Sequence, residues 1–142
     1  MTIVILMEAA MMGAQGADTA AVIVDSGSTN SAGFRISVER SGNAELTVTR
    51  RRPAPDQGSD QPVRQVLSES TVKRFYDDLD AAKPLSSLPA VHCMKSVSFG
   101  STRRLVVGEE QSPDLTCGDG GNEALRALIR DVSEIVELMR GK

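Results

Sequence analysis

Aromatic residues are scarce in this chain, and their scarcity argues against one class of function. They make up 3% of the 142 residues, with three phenylalanines, one tyrosine and no tryptophan. Proteins that bind single-stranded nucleic acids usually stack the bases on several exposed rings along a basic groove. The formal net charge of −3 also counts against a phosphate-binding surface. We therefore expect no nucleic-acid partner.

Long apolar runs are also missing. The run at residues 3–7 is far shorter than the roughly 20 residues of a membrane-spanning helix, so no membrane span is expected. We interpret residues 1–19 as the remnant of an export signal or as a disordered N-terminus, since small residues at Ala14 and Gly16 suit a signal peptidase. However, no basic residue precedes the run and Glu8 follows it. A cytosolic N-terminus therefore stays open as the alternative.

Cysteine and histidine are too few to suggest a metal site. Cys93 and Cys117 lack the CxxC spacing of redox and zinc sites, and His92 cannot complete a metal shell with them. We expect no metal and no cofactor. A disulfide between the two cysteines would close a loop of about 25 residues and stabilise the fold by about 3 kcal/mol in the chain-entropy model. It would also indicate an oxidising compartment, either secreted or periplasmic. The alternatives are two reduced thiols in the cytosol or a Cys–His nucleophile.

Alternating apolar residues predict several strands. The apolar run at residues 20–24 is a buried strand, and two alternating segments on either side of Ser41-Gly42-Asn43 form an antiparallel hairpin. Residues 63–67 are a candidate edge strand. A second hairpin is predicted around a tight connection at residues 100–102. Its apolar positions are Val91, Cys93, Val97 and Phe99 on one strand and Leu105 and Val107 on the other.

Two segments have the period of amphipathic helices. The first begins after Ser68 as N-cap and ends at Lys83-Pro84, and the second begins after Asn122 and runs to Met139. Residues 50–62 carry three prolines and predict a mobile linker. The sequence thus predicts one α+β domain over residues 20–142. Its antiparallel sheet has about five strands built from two hairpins, with both helices packed on one face.

One short motif suggests catalysis. Residues 22–29 read VIVDSGST, which resembles the active-site signature of aspartic proteases. The resemblance implies that Asp25 is a catalytic carboxylate, that Ser26 and Gly27 brace its loop, and that two chains form a homodimer in which the two aspartates share a proton. Residues 106–108, VVG, resemble the second motif of that family. The two predicted amphipathic helices do not fit that family, which is almost wholly β.

A broader resemblance covers most of the chain. The segments SGSTNSAGF, FYDDLDAAKPL, HCMKSVSFG and SPDLTC, at residues 26–34, 75–85, 92–100 and 112–117, are similar to small uncharacterised secreted bacterial proteins. That resemblance implies export, a disulfide and no known active site. We therefore expect a non-enzymatic binding or inhibitory module that acts on an unknown protein or envelope ligand, with no catalytic residues. The alternative is a homodimeric aspartic peptidase that uses Asp25.

Overall fold

The protein has an α+β fold, as the sequence predicts. The computed structural model describes residues 19–49, 61–96, 98 and 100–141. In chain order the elements are β1 Ala21–Asp25, β2 Gly33–Val38, β3 Asn43–Thr49, β4 Val63–Val66, α1 Glu69–Ala82, a 3-10 turn Leu85–Ser87, β5 Arg103–Val107, β6 Glu110–Gln111 and α2 Glu123–Arg140. The expected export-signal segment and most of the expected linker lie outside the described residues.

The six strands form one antiparallel sheet in the order β4-β3-β2-β1-β5-β6. The first four are consecutive neighbours, and β5 then joins the other side of β1. The predicted hairpin around Ser41-Gly42-Asn43 is confirmed as β2 and β3, in which Ile36 lies opposite Leu46. The predicted edge strand is confirmed as β4. The sheet therefore has six strands where the sequence suggested about five.

The second predicted hairpin is not confirmed. Residues 91–96 lie in no strand, while Val97 and Phe99 are outside the described residues. Leu105 and Val107 do lie in a strand, but β5 pairs with β1 and with the short β6. The alternation of Val91 and Cys93 therefore does not reflect a strand with one buried face. Cys93 instead forms the disulfide described below.

Both helices begin at the predicted caps. The Ser68 side chain accepts a hydrogen bond from the backbone N–H of Thr71, and the Asn122 side chain accepts one from Leu125. The chain leaves α1 at Lys83, before Pro84, as expected. These interactions satisfy backbone donors that an α-helix leaves unpaired at its start.

One hydrophobic core lies between the two helices and one face of the sheet. Phe75 and Leu79 of α1 and Ile135 of α2 are fully buried in it, together with Ile23 and Ile36 of the sheet. The helices also contact each other. Both helices therefore cover the same face of the sheet, as predicted.

Tyr76 adds a polar link between α1 and the centre of the sheet. Its hydroxyl donates a hydrogen bond to the carbonyl of Val38 and accepts one from the N–H of Ala21 at 3.2 Å. Because the ring itself is buried, the hydroxyl needs such partners. The two hydrogen bonds hold the first residue of β1 and the last residue of β2 against the helix.

A buried carboxyl group lies at the interface of the two helices. Asp131 of α2 is 2% exposed. Its Oδ1 accepts hydrogen bonds from Arg74 of α1 and from Arg130, each at 3.2 Å. Among the described residues its Oδ2 has no hydrogen-bond partner. The surrounding charges are those of Asp78, which pairs with Arg130 at 3.1 Å, and Glu134, which pairs with Arg74.

This environment changes the acidity of Asp131. Burial raises the pKa of Asp131 to about 6, the adjacent Asp78 acts in the same direction, and Arg130 opposes them. Two carboxyl groups can form a hydrogen bond only when one of them carries a proton. Protonation therefore gives the unpartnered Oδ2 a proton that it can donate towards Asp78.

We predict that Asp131 makes the protein less stable as the pH rises from about 4 to about 6. The folded-state pKa lies above the unfolded value, so in this window the unfolded chain releases the proton and the folded chain keeps it. The contribution is complete below about pH 4 and is lost as the pH passes through 6. Asp131→Asn should remove this loss, because its amide donates at every pH. Denaturant unfolding of both proteins across this range measures the difference.

The matched control is Asp77→Asn, one residue from Asp78 on α1. Asp77 pairs with Lys73 at the surface, and its replacement should leave the slope of stability with pH as in the wild type. Equal slopes for wild type and Asp131→Asn would contradict the prediction.

Candidate functional site

The residues of the aspartic-protease-like motif lie where β1 leaves the sheet. Asp25 is the last residue of β1 and is 6% exposed. Its Oδ1 accepts a hydrogen bond from the N–H of Gly27 at 2.8 Å. Its Oδ2 accepts two from the guanidinium of Arg103 in β5, at 3.1 Å from Nε and 3.0 Å from Nη2. Both carboxylate oxygens are therefore occupied within the chain.

Ser26 and Gly27 shape the turn that follows. Ser26 and Thr102 exchange hydrogen bonds: the N–H of Ser26 donates to the carbonyl of Thr102, and the N–H of Thr102 donates to Oγ of Ser26, both at 2.9 Å. Gly27 has φ of +65°, and a Cβ there would lie 2.4 Å from the backbone nitrogen of Gly33. The turn thus requires glycine at this position.

This geometry favours a structural role for Asp25. A catalytic aspartate dyad needs two carboxyl groups within hydrogen-bond range that share one proton. Here both oxygens of the Asp25 carboxylate already accept hydrogen bonds within the chain, from Gly27 and from Arg103. Gly108 lies in the turn between β5 and β6, and no helix follows it directly. The second motif therefore also lacks the setting that the peptidase interpretation requires.

The predicted disulfide is present between Cys93 and Cys117. It connects residues 89–96, which we call the Met94 loop, to the segment that follows β6. That segment is itself held against β5, because the N–H of Leu115 donates to the carbonyl of Arg103 at 2.7 Å and the N–H of Ser112 donates to that of Leu105 at 2.9 Å. The loop is therefore attached covalently to a segment that is fixed on the sheet.

A second anchor lies on the other side of Met94. The ammonium group of Lys95 donates to the carbonyl of Ser101 at 2.6 Å and pairs with the carboxylate of Asp114. Oδ1 of Asp114 also accepts hydrogen bonds from the N–H of Arg103 and that of Thr116, both at 3.1 Å. The Lys95 side chain is 24% exposed and points back to the protein.

The pKa of Asp114 reflects these contacts. Burial alone would raise it, but hydrogen bonds from Lys95, from the backbone of Arg103 and from Thr116 outweigh burial and lower the pKa to about 2. The stabilisation from this group is complete above about pH 4 and is lost as the pH falls towards 2. The carboxylate that pairs with Lys95 is thus charged at neutral pH.

Met94 lies between the two anchors and is fully exposed, with 102% of its reference accessible area. Within the part of the chain that the structure describes, the backbone groups of residues 90–94 take part in no hydrogen bond. The loop therefore presents an apolar side chain and unpaired backbone groups to solvent. Such an arrangement can bind a partner that offers an apolar pocket and a complementary backbone.

Sequence reasoning did not single out Met94. The alternation of Val91 and Cys93 indicated a strand, which would have placed Met94 on its wet face as one of many exposed residues. A signal was present: Lys95 falls on the parity of the apolar positions, which argues against a half-buried strand.

Two further findings concern only the residues that the structure describes. In the ranges 19–49, 61–96 and 100–141, no group of three or more His, Cys, Asp or Glu side chains is arranged to hold a metal ion. Across the same ranges, neither helix has the length and apolar character required to cross a membrane.

We predict that Asp25→Asn destabilises the protein by about 2 kcal/mol, because the amide nitrogen is a donor and would face either the N–H of Gly27 or the guanidinium of Arg103. The control Asp80→Asn removes a surface ion pair with Arg40 and should cost less than about 1 kcal/mol. Urea unfolding measures both. Unchanged stability of Asp25→Asn, together with acid-pH proteolysis that only the wild type shows, would instead support a catalytic Asp25.

We predict that the double variant Cys93→Ser, Cys117→Ser loses about 3 kcal/mol of unfolding free energy, because its unfolded chain is no longer constrained by the closed loop. A reductant should destabilise the wild type by a similar amount and leave the double variant unchanged. A wild type that is insensitive to reductant would show that the disulfide contributes little.

Comparisons with known proteins found no relative of this chain. No protein-family model, no curated protein and no solved structure matches the chain. The resemblance to secreted bacterial proteins therefore stays an expectation, and function has to be inferred from the site itself.

Proposed function

We propose that this protein is a non-enzymatic binding module of an oxidising compartment, secreted or periplasmic, and that it binds a partner protein through the Met94 loop. The observation that carries the proposal is the full exposure of Met94 between two anchors. Disulfides persist mainly in oxidising compartments. The export-like residues 1–16 agree with that location.

The loop meets the energetic requirements of a binding element. Burying a methionine side chain on association contributes about 1.5 to 3 kcal/mol. Association also costs the ordering of flexible segments, and that cost is lower where a loop is already held in place. The disulfide at Cys93 and the ion pair at Lys95 fix the positions on both sides of Met94.

Methionine is well suited to this position. Its side chain is unbranched and flexible, and its thioether is polarisable, so it can adapt to apolar pockets of irregular shape. The residue itself contributes no burial to the folded chain. Its chemical type is therefore free to serve a partner.

We predict that Met94→Ser weakens partner binding by about 10- to 100-fold, the equivalent of the apolar burial lost. The wild-type protein, Met94→Ser and Val66→Ser would be immobilised and exposed to the extracellular and envelope fractions of the producing cells. Wild type and Val66→Ser should retain the same protein, identified by mass spectrometry, and Met94→Ser should lose it. Affinities with that purified protein give the ratio.

Val66 is the matched control because it is 76% exposed on the edge strand β4. Retention of the same partner by all three proteins would contradict a role for Met94. Failure of the wild type to retain any protein would contradict the proposal as a whole.

A further inference from the structure

Peptidases bind an exposed segment of another protein through its backbone and through one side chain. Their clefts pair with the backbone groups of the bound segment, and one side chain enters a pocket beside the reacting carbonyl. The Met94 loop offers both parts, because residues 90–94 leave their backbone groups unpaired within the described chain and Met94 points away from the protein. Few other large apolar side chains are even half exposed in the described residues.

We propose that the partner is a serine peptidase with an apolar primary pocket, and that this protein inhibits it by presenting Met94 to that pocket as a substrate would. The inference rests on the proposed function, since it names the partner class of the same loop. It identifies the peptide bond between Met94 and Lys95 as the bond that the peptidase would attack.

The charge around the loop selects the type of pocket. An acidic pocket requires a cationic side chain, and Lys95 is the nearest one. However, its ammonium group is bound to Asp114 and to the carbonyl of Ser101. Met94 is uncharged and fully exposed. The loop therefore fits peptidases with an apolar pocket and not those that require lysine or arginine.

The two anchors explain why such a segment would inhibit and would not be degraded. In the reaction, the peptidase serine adds to the carbonyl carbon of Met94, and its proton passes through the enzyme base to the nitrogen of Lys95 as the C–N bond breaks. Cys93 remains tied to Cys117, and Lys95 remains paired with Asp114. The new amine is thus held near the acyl carbon, where it can attack and re-form the bond before water does.

The test measures inhibition of purified chymotrypsin, subtilisin and trypsin. The wild type should inhibit chymotrypsin or subtilisin and leave trypsin unaffected. Met94→Asp should weaken that inhibition on the order of 100-fold, as expected for a central anchor residue. Met94→Arg should gain inhibition of trypsin. Val66→Asp, the matched surface control, should behave as the wild type.

Mass spectrometry adds a readout that mere surface binding would not give. Prolonged incubation with the inhibited peptidase should produce a species heavier by one water, cut only between Met94 and Lys95, with its halves joined by the disulfide. Rapid cleavage at this or other bonds by both apolar-pocket enzymes, without inhibition, would overturn the inference. Thermal unfolding of each variant confirms that the exposed substitutions leave the fold intact.

The outcomes also separate this inference from the proposed function. If Met94→Ser loses a retained partner but the wild type inhibits neither chymotrypsin nor subtilisin, the loop is a binding element and the peptidase inference is wrong. If the wild type inhibits either enzyme and Met94→Asp inhibits equally well, Met94 does not enter the pocket of the peptidase. In that case both the peptidase inference and the proposed binding through Met94 are wrong.

Discussion

The pairing of β5 with β1 is the constraint on which the rest of the structure depends, and Arg103 connects this pairing to the segment after β6. Its guanidinium holds the carboxylate of Asp25 at the end of β1. Its backbone N–H donates to Asp114, and its carbonyl accepts from Leu115. One residue therefore connects a central strand of the sheet with the segment that carries Cys117. If this connection were lost, the turn after β1 and the support of the Met94 loop would both be released.

One part of the fold is packed in the core, and another part, the Met94 loop, is exposed to solvent. The helices cover one face of the sheet, and most of the large apolar side chains of the described residues are buried in the core between them. The Met94 loop lies outside this arrangement and has no ladder hydrogen bonds of its own over residues 90–94. A segment of this kind would ordinarily be mobile. A covalent bond at Cys93 and a charge-assisted hydrogen bond at Lys95 replace the ladder, and they restrain the backbone while its polar groups stay accessible.

Local patterns predicted the elements well, and long-range pairing was harder to predict. The hairpin of β2 and β3, the caps at Ser68 and Asn122, and the disulfide all follow from residues near one another or from the only two cysteines present. The pairing of β1 with β5 joins residues about 80 positions apart, and no local pattern encodes it. The burial of Asp131 was missed for a related reason. It lies three residues after Leu128 on the apolar stripe of α2, but two of the charged residues around it, Arg74 and Asp78, lie on the other helix.

Apart from the disulfide, the contacts that anchor the candidate site are also long-range, and for that reason they were not predicted from the sequence. They show in addition why effects on stability and on binding can be measured separately in this protein. Cys93 and Asp114 serve the fold as well as the loop, so replacing either changes both properties. Met94 contributes no buried area to the folded chain. Folding therefore places no demand on its side chain, and a substitution there alters what the loop presents without altering how the loop is held. Because the anchors and Met94 are different residues, the proposed role of Met94 in binding can be tested by substitutions that leave both anchors in place.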